Sequence, residues 1–319
     1  MKIKNGTIWK DTQGNILHAH GGWILLHEGV YYWYGENRLD NLYVSCYSST
    51  DLVNWTFRNH VLTTESSTAG YRVRTDLSLR NANGGKVNLE RPKVAYHPES
   101  KKFVMWMHFE NGEDYSRAAA AVATCDTPDG NFVYHGSFNP CGEMSRDCTL
   151  FENEGKMYFL SASRDNADMH IYRLQSDWMN VEKQVASCWP GEYREAPALV
   201  RHAEKIYCLS SFCTGWAPNQ GKYAATSCLE DGFPQLTEIG DETTYRSQPA
   251  FILTIQGREA TSYIYVGDRW NGADYFDSRY VWFPLEFEED GNARLIPCDE
   301  LEIDLESGRL HYRKEKYKI

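Results

Sequence analysis

Five polar residues hold equivalent places along the chain: His20, Glu90, Asp147, Glu195 and Gln248. Each opens a short apolar run that ends in a turn and a second apolar run. Around Glu195 the order is Tyr193-Arg-Glu-Ala-Pro-Ala-Leu199, the turn Ala203-Glu-Lys205, then Ile206-Tyr-Cys-Leu-Ser210. Three of the five are carboxylic acids. Acids brought close together raise one another's pKa, so one can stay protonated near neutrality beside another that is ionised, the setting for proton transfer to and from a bond. His18 and His20 alternate on one strand and face the same side, as metal ligands do. No third ligand follows by spacing, and a hydrogen-bonded axial histidine is the preferred reading.

The five leads are 70, 57, 48 and 53 residues apart. That is room for one four-stranded sheet per unit with loops of varied length, the spacing of propeller blades. The expected fold is therefore all-β, a single five-bladed β-propeller spanning residues 1–319. The innermost strand of each blade lines the central axis, so the leads converge on one end of the channel as a pocket ringed by three carboxylates. Other residues join them by position. Glu36 ends the aromatic strand Val30-Tyr-Tyr-Trp-Tyr34-Gly-Glu36, and Tyr115 precedes a run of small residues that brings it near the axis. The irregular stretch 61–89 leads into Glu90 and is expected to form a wall of the pocket. A loop with Thr214, Trp216 and Asn219 offers a hydroxyl, a stacking face and an amide, which suits a pyranose; a turn capped by an edge tryptophan stays open as the alternative. Residues 301–319 are expected to close the ring against blade one.

Composition removes several classes of function. A net charge of −11 lacks the basic footprint that nucleic acid or an anionic membrane surface requires. No apolar run approaches the roughly 20 residues of a membrane span. The 44 aromatic residues suit strands and sugar stacking alike. Nine cysteines, an odd number without a C-x-x-C pair, read as reduced thiols. With no apolar leader after Met1, the cytoplasm is the expected address. Nothing in the pattern bears on oligomeric state.

In order along nearly the whole chain, AHGG, YYWYGE, YSSTDLVNW, ERPKV, SRD-x-TLF, REAPAL, TGW-x-PN, SQ-x-x-F and GDRW resemble glycoside hydrolase family 43, a five-bladed propeller family. More narrowly they are similar to its exo-β-1,3-galactanase branch. The resemblance implies an inverting hydrolase, with an acid on the leaving oxygen and water activated from the opposite ring face. It matches Glu195 to the general acid and Asp147 to the aspartate that keeps that acid protonated. The bland alternative is that these two acids merely pair with Arg194 and Arg146.

One departure stands at the base. Most of the family carries an Asp-Pro pair on the first blade, where this chain has Ala19-His20-Gly21. Water handling is assigned to Gln248, although an amide is a very poor base, with Glu90 as a sugar contact or the true base. The expected partner is an oligosaccharide or polysaccharide releasing galactose from β-1,3-linked galactan, with no cofactor and no metal. Competing readings are an α-L-arabinofuranosidase or β-xylosidase, a sugar-binding propeller without catalysis, and a protein-interaction propeller.

Overall fold

Runs of β-branched and aromatic residues punctuated by Gly, Asn and Asp turns give strands from end to end. The computed structural model of the chain is accordingly all-β, and its helical segments among the described residues are three single 3-10 turns. It describes residues 2–72, 74 and 76–313. Twenty strands form five four-stranded antiparallel sheets, each running in chain order from first strand to last. The other three, Ile3–Lys4, Glu300–Asp304 and Arg309–Tyr312, make a small sheet of their own.

The first strands of the five larger sheets are His20–His27, Asn88–His97, Cys148–Asn153, Arg194–His202 and Gln248–Gln256. Each packs against the first strand of the next sheet, and that of the fifth returns to that of the first. The circuit is closed, and all five leads lie at its one end. Four of these strands break register beside the lead: between His20 and Trp23, Glu90 and Lys93, Glu195 and Ala198, and Pro249 and Phe251. A bulge bends a strand and re-aims its side chains. Pro92, Pro197 and Pro249 stand at these breaks, where the missing N–H interrupts no ladder. In the remaining unit Asp147 precedes its strand.

Aromatic packing seals the junction between the fifth sheet and the first. Trp33 meets Tyr280 at 5.0 Å and Trp282 at 5.7 Å between ring centroids, with Trp55 on its other side at 5.1 Å. The Tyr280 hydroxyl accepts from the Ala19 N–H at 2.8 Å and donates to the Leu17 carbonyl at 2.9 Å. Buried rings of this size contribute on the order of 0.5–1.5 kcal/mol per pair beyond the area they remove from water.

Two expectations are corrected here. The described part of 61–89 does not wall the pocket. Thr68 and Asp76 bridge Tyr134 and Ser137 on the outer strand of the second sheet. Tyr71 and Arg74 reach on to Asp177 and the Met179 carbonyl. The loop's polar groups find partners at the rim between sheets, away from the axis. The tail is the second case. Glu300–Asp304 pairs with Ile3–Lys4, and Glu306 and Ser307 accept hydrogen bonds from Arg258 and Ala260 on the fifth sheet, not from the first. Residues 314–319 lie outside the described part.

Candidate active site

Glu195 is 9% exposed and faces a cavity of about 290 Å³ that it shares with Glu36, Glu90 and Asp147. Its partners are neutral donors. The Gln248 amide donates to Oε1 at 2.8 Å, the Asn166 amide donates to Oε2 at 3.1 Å, and the Cys213 thiol stands beside it. Burial and the nearby Asp147 charge push its pKa up to about 7, against the opposing pull of Arg91. Neither Glu195 nor Asp147 relies on its neighbour in sequence. Arg194 turns onto Ser210, and Arg146 onto Asp165 at 2.8 Å.

The other three acids each meet a cation. Asp147 pairs with Arg91 Nε at 3.0 Å. Glu36 takes both Nε and Nη2 of Arg38, at 3.1 and 2.8 Å, and the Arg91 backbone N–H at 3.1 Å. Burial still raises its pKa, against the Arg38 charge. Gly21 makes this approach possible, since a Cβ there would lie 2.5 Å from Glu36 Oε1. Glu90 receives Arg38 at 3.0 Å and the Tyr115 hydroxyl at 2.8 Å on Oε1, with His108 3.4 Å from Oε2. Burial pushes Glu90 upward, but His108 beside it and the Arg38 charge outweigh it and hold the pKa near 2. His108 responds in the opposite sense. Burial lowers it, yet Glu110 and Glu90 raise it to about 9.

Gln248 joins the two sets. Its Nε2 donates to Glu195 and to Ser211 Oγ at 2.9 Å, and its Oε1 accepts from Arg91 and from Trp270 Nε1 at 2.7 Å. All four of its hydrogen-bonding positions are taken.

A closed ring of sheets, with a pocket of acids and one unpaired member, invites comparison with known folds. The profile of glycosyl hydrolases family 43 matches residues 18–230. The chain belongs to glycosyl hydrolases family 43. It is a glycoside hydrolase. An exo-β-1,3-galactanase from Clostridium thermocellum is 46% identical with a TM-score of 0.90, covering 98% of this chain and 68% of that one. A Glu→Gln variant of the exo-β-1,3-galactanase from Phanerochaete chrysosporium, solved with β-1,3-galactotriose, is 34% identical with a TM-score of 0.86, covering 98% and 70%. A family 43 β-1,3-galactosidase solved with galactodeoxynojirimycin is 29% identical with a TM-score of 0.82, covering 93% and 99%. No curated protein matches the chain at a significant level.

In this family 43 hydrolase the structure gathers Glu36, Glu90, Tyr115, Asp147, Glu195, Trp216 and Gln248 around one cavity. Thr214 is not on its lining, and Asn219 lines an adjoining cavity that shares Trp216, Gln248 and Trp270 with it. Asn219 donates to Thr214 Oγ1 at 2.7 Å and exchanges hydrogen bonds with the Phe212 backbone at 2.8 and 2.7 Å, while Thr214 donates to the Ala217 carbonyl at 2.6 Å. Their polar atoms hold the loop that presents Trp216, so the capped turn is the reading that describes them. His20 is spent on Asp268, Nδ1 to Oδ1 at 2.9 Å, instead of facing a metal with His18. On the axis the Lys93 ammonium, fully buried, donates to the Gly21 and Gly22 carbonyls at 2.7 and 3.1 Å, and burial lowers its pKa to about 8.

Sequence reasoning passed over Arg91, His108, Arg38 and Asn166. Arg91 adjoins Glu90 in ERPKV, and Trp270 ends GDRW, so both lay inside quoted motifs. Asn166 carried no such signal. It lies in a turn where Arg164, Asp165 and Asn166 all have positive φ.

Proposed function

We propose that the chain is an inverting exo-acting hydrolase that releases galactose from β-1,3-galactan or its oligosaccharides, with Glu195 as general acid. The observation that carries this reading is the contrast in partners: among the described residues, Glu195 alone of the four pocket acids has no cation on its oxygens. Only such an acid stays protonated near neutrality, as protonation of a glycosidic oxygen demands. Burial and the Asp147 charge keep it so. The galactan-cleaving relatives support the substrate, and a cavity of this size suits a terminal sugar better than a chain running through.

Gln248 is assigned to the attacking water, for which it exchanges one of its four hydrogen bonds. Glu90, held near pKa 2 by its donors, is assigned to the sugar's hydroxyls and not to proton abstraction. Trp216 and Tyr115 supply a stacking face and a rim hydroxyl. The five larger sheets read as blades of a five-bladed propeller forming one catalytic domain, for which the closed circuit of first strands is the support. Nine unpaired thiols suit a reducing compartment such as the cytoplasm.

The test is NMR of the sugar first released from β-1,3-galactooligosaccharides by wild type and by Glu195→Gln. Initial α-galactose from wild type, absent with the variant, is expected. Initial β-galactose would overturn inversion, and undiminished release by the variant would remove Glu195 from the role. Turnover of aryl arabinofuranosides or xylosides in place of galactosides would transfer the activity to those sugars.

A further inference from the structure

We propose that Glu90, His108 and Asp147 form a site for one exchangeable divalent transition-metal ion of the Zn²⁺ class, and that the bound ion shuts sugar out of the pocket. Each acid commits one oxygen to a cation or hydroxyl: Glu90 Oε1 to Arg38 and Tyr115, Asp147 Oδ2 to Arg91. That leaves Glu90 Oε2 and Asp147 Oδ1 turned toward His108 Nδ1, at 3.4 and 3.9 Å. The three ligand atoms lie within 4.8 Å of one another. One ion at about 2.0–2.2 Å from each nitrogen and oxygen fits such a triangle.

The imidazole adds an independent sign. His108 is 1% exposed, yet its Nδ1 makes no hydrogen bond, while Nε2 is held by Glu110 Oε1 at 2.8 Å. A buried carboxylate behind the far nitrogen is the support that metal-binding histidines carry; it holds the proton on Nε2, so that the one on Nδ1 is the proton a metal would displace. Glu110 is itself anchored, accepting the Ala118 N–H at 2.8 Å on its other oxygen. On binding, the ion takes the Nδ1 lone pair, and the proton it displaces leaves to solvent. No electron moves. Arg38 and Arg91 on the two acids, with Arg146 3.8 Å from Glu110, oppose a dication and make it exchangeable instead of resident.

The ion's ligands line the same cavity as Glu195, so metal and sugar compete. That half rests on the galactanase reading; the binding half does not. The experiment titrates the whole chain with ZnCl₂ by calorimetry and with CoCl₂ by visible absorption, and measures galactooligosaccharide hydrolysis with and without zinc. One ion per chain is expected, with a cobalt spectrum free of thiolate charge-transfer bands and a zinc-dependent rise in KM that EDTA reverses. Glu110→Gln, which leaves all three ligands in place, is expected to weaken the ion about 10–100-fold. Asp147→Asn, a change at the open wall that leaves the core intact, removes a ligand and is expected to weaken it at least as much. Absence of stoichiometric binding, binding unmoved by both variants, or a thiolate band placing the ion on cysteines overturns the site. Binding as described with KM unchanged overturns the exclusion of sugar. Binding without any galactan hydrolysis leaves the site standing and fells the functional reading.

Discussion

Two carboxylates of one pocket, Glu90 and Glu195, are treated in opposite ways by the same fold. Both are buried leads of bulged first strands. Around Glu90 the neighbours are Arg38, His108 and the Tyr115 hydroxyl, and its pKa is held near 2. Around Glu195 they are amides and a thiol, and burial with the Asp147 charge takes it to about 7. Burial pushes both upward, so the partners decide the outcome. One acid is locked as a charge and the other is kept as a proton store, which is the division of labour an acid-catalysed bond cleavage needs.

The sharpest way to break this comparison is Glu195→Gln, which is expected to cut kcat by about 10²–10⁴-fold, the range for loss of a general acid. Steady-state kinetics on β-1,3-galactobiose reads it. Glu90→Gln should lower kcat/KM by about 10–100-fold, mostly through KM, because charge-assisted hydrogen bonds of roughly 1.5–3 kcal/mol are weakened. An equal fall in kcat alone would move Glu90 to the side of proton transfer.

Stability separates the two acids as well. The folded pKa of Glu195, about 7, lies above its ordinary 4.5, so between these values the folded state holds an extra proton. Its contribution is complete below about pH 4.5 and declines as pH rises through 7. Glu195→Gln should therefore gain on wild type by on the order of 3 kcal/mol between pH 4 and pH 8, seen in chemical denaturation at the two pH values. No such gain points to ionised Glu195 being stabilised by a partner.

Asp147→Asn removes the like charge, and the alkaline limb of the pH–rate profile should move to lower pH; a limb that stays would leave burial alone as the cause. The smallest effect belongs to Trp216→Ala at the rim. A lost stacking contact of about 0.5–1.5 kcal/mol should raise KM about 2–10-fold and leave kcat unchanged.

The sequence carried the ring of leads because a polar residue before an apolar run repeats five times, with a proline in three of them, and four of the five become bulged strands. What it did not carry is the traffic between repeats. Arg91 meets Gln248 across 157 positions, and no local spacing announces that contact. Asn166 reaches Glu195 only because three successive residues adopt positive φ. Thr214 and Asn219 show a local demand instead. Their types suit a sugar, but an isolated loop must satisfy its own backbone first, and their polar atoms are consumed there. The stretch 61–89 was legible as irregular but not as to its side, since its anchors, Asp177 and Met179, lie in a turn of the third sheet, more than a hundred positions on.

The small sheet at the chain's extremities sets the order in which the molecule can be made. Asn5 donates to the carbonyls of Trp282 and Cys298 at 2.9 and 2.8 Å, and Ile3 pairs with Leu301. On the ribosome Ile3 and Asn5 emerge well before these partners and wait until residues near 300 have been synthesised. Closure is then a late, long-range event, slow in the manner of contacts distant in sequence. Until it happens Trp33 lacks the cover that Tyr280 and Trp282 give it in the finished molecule.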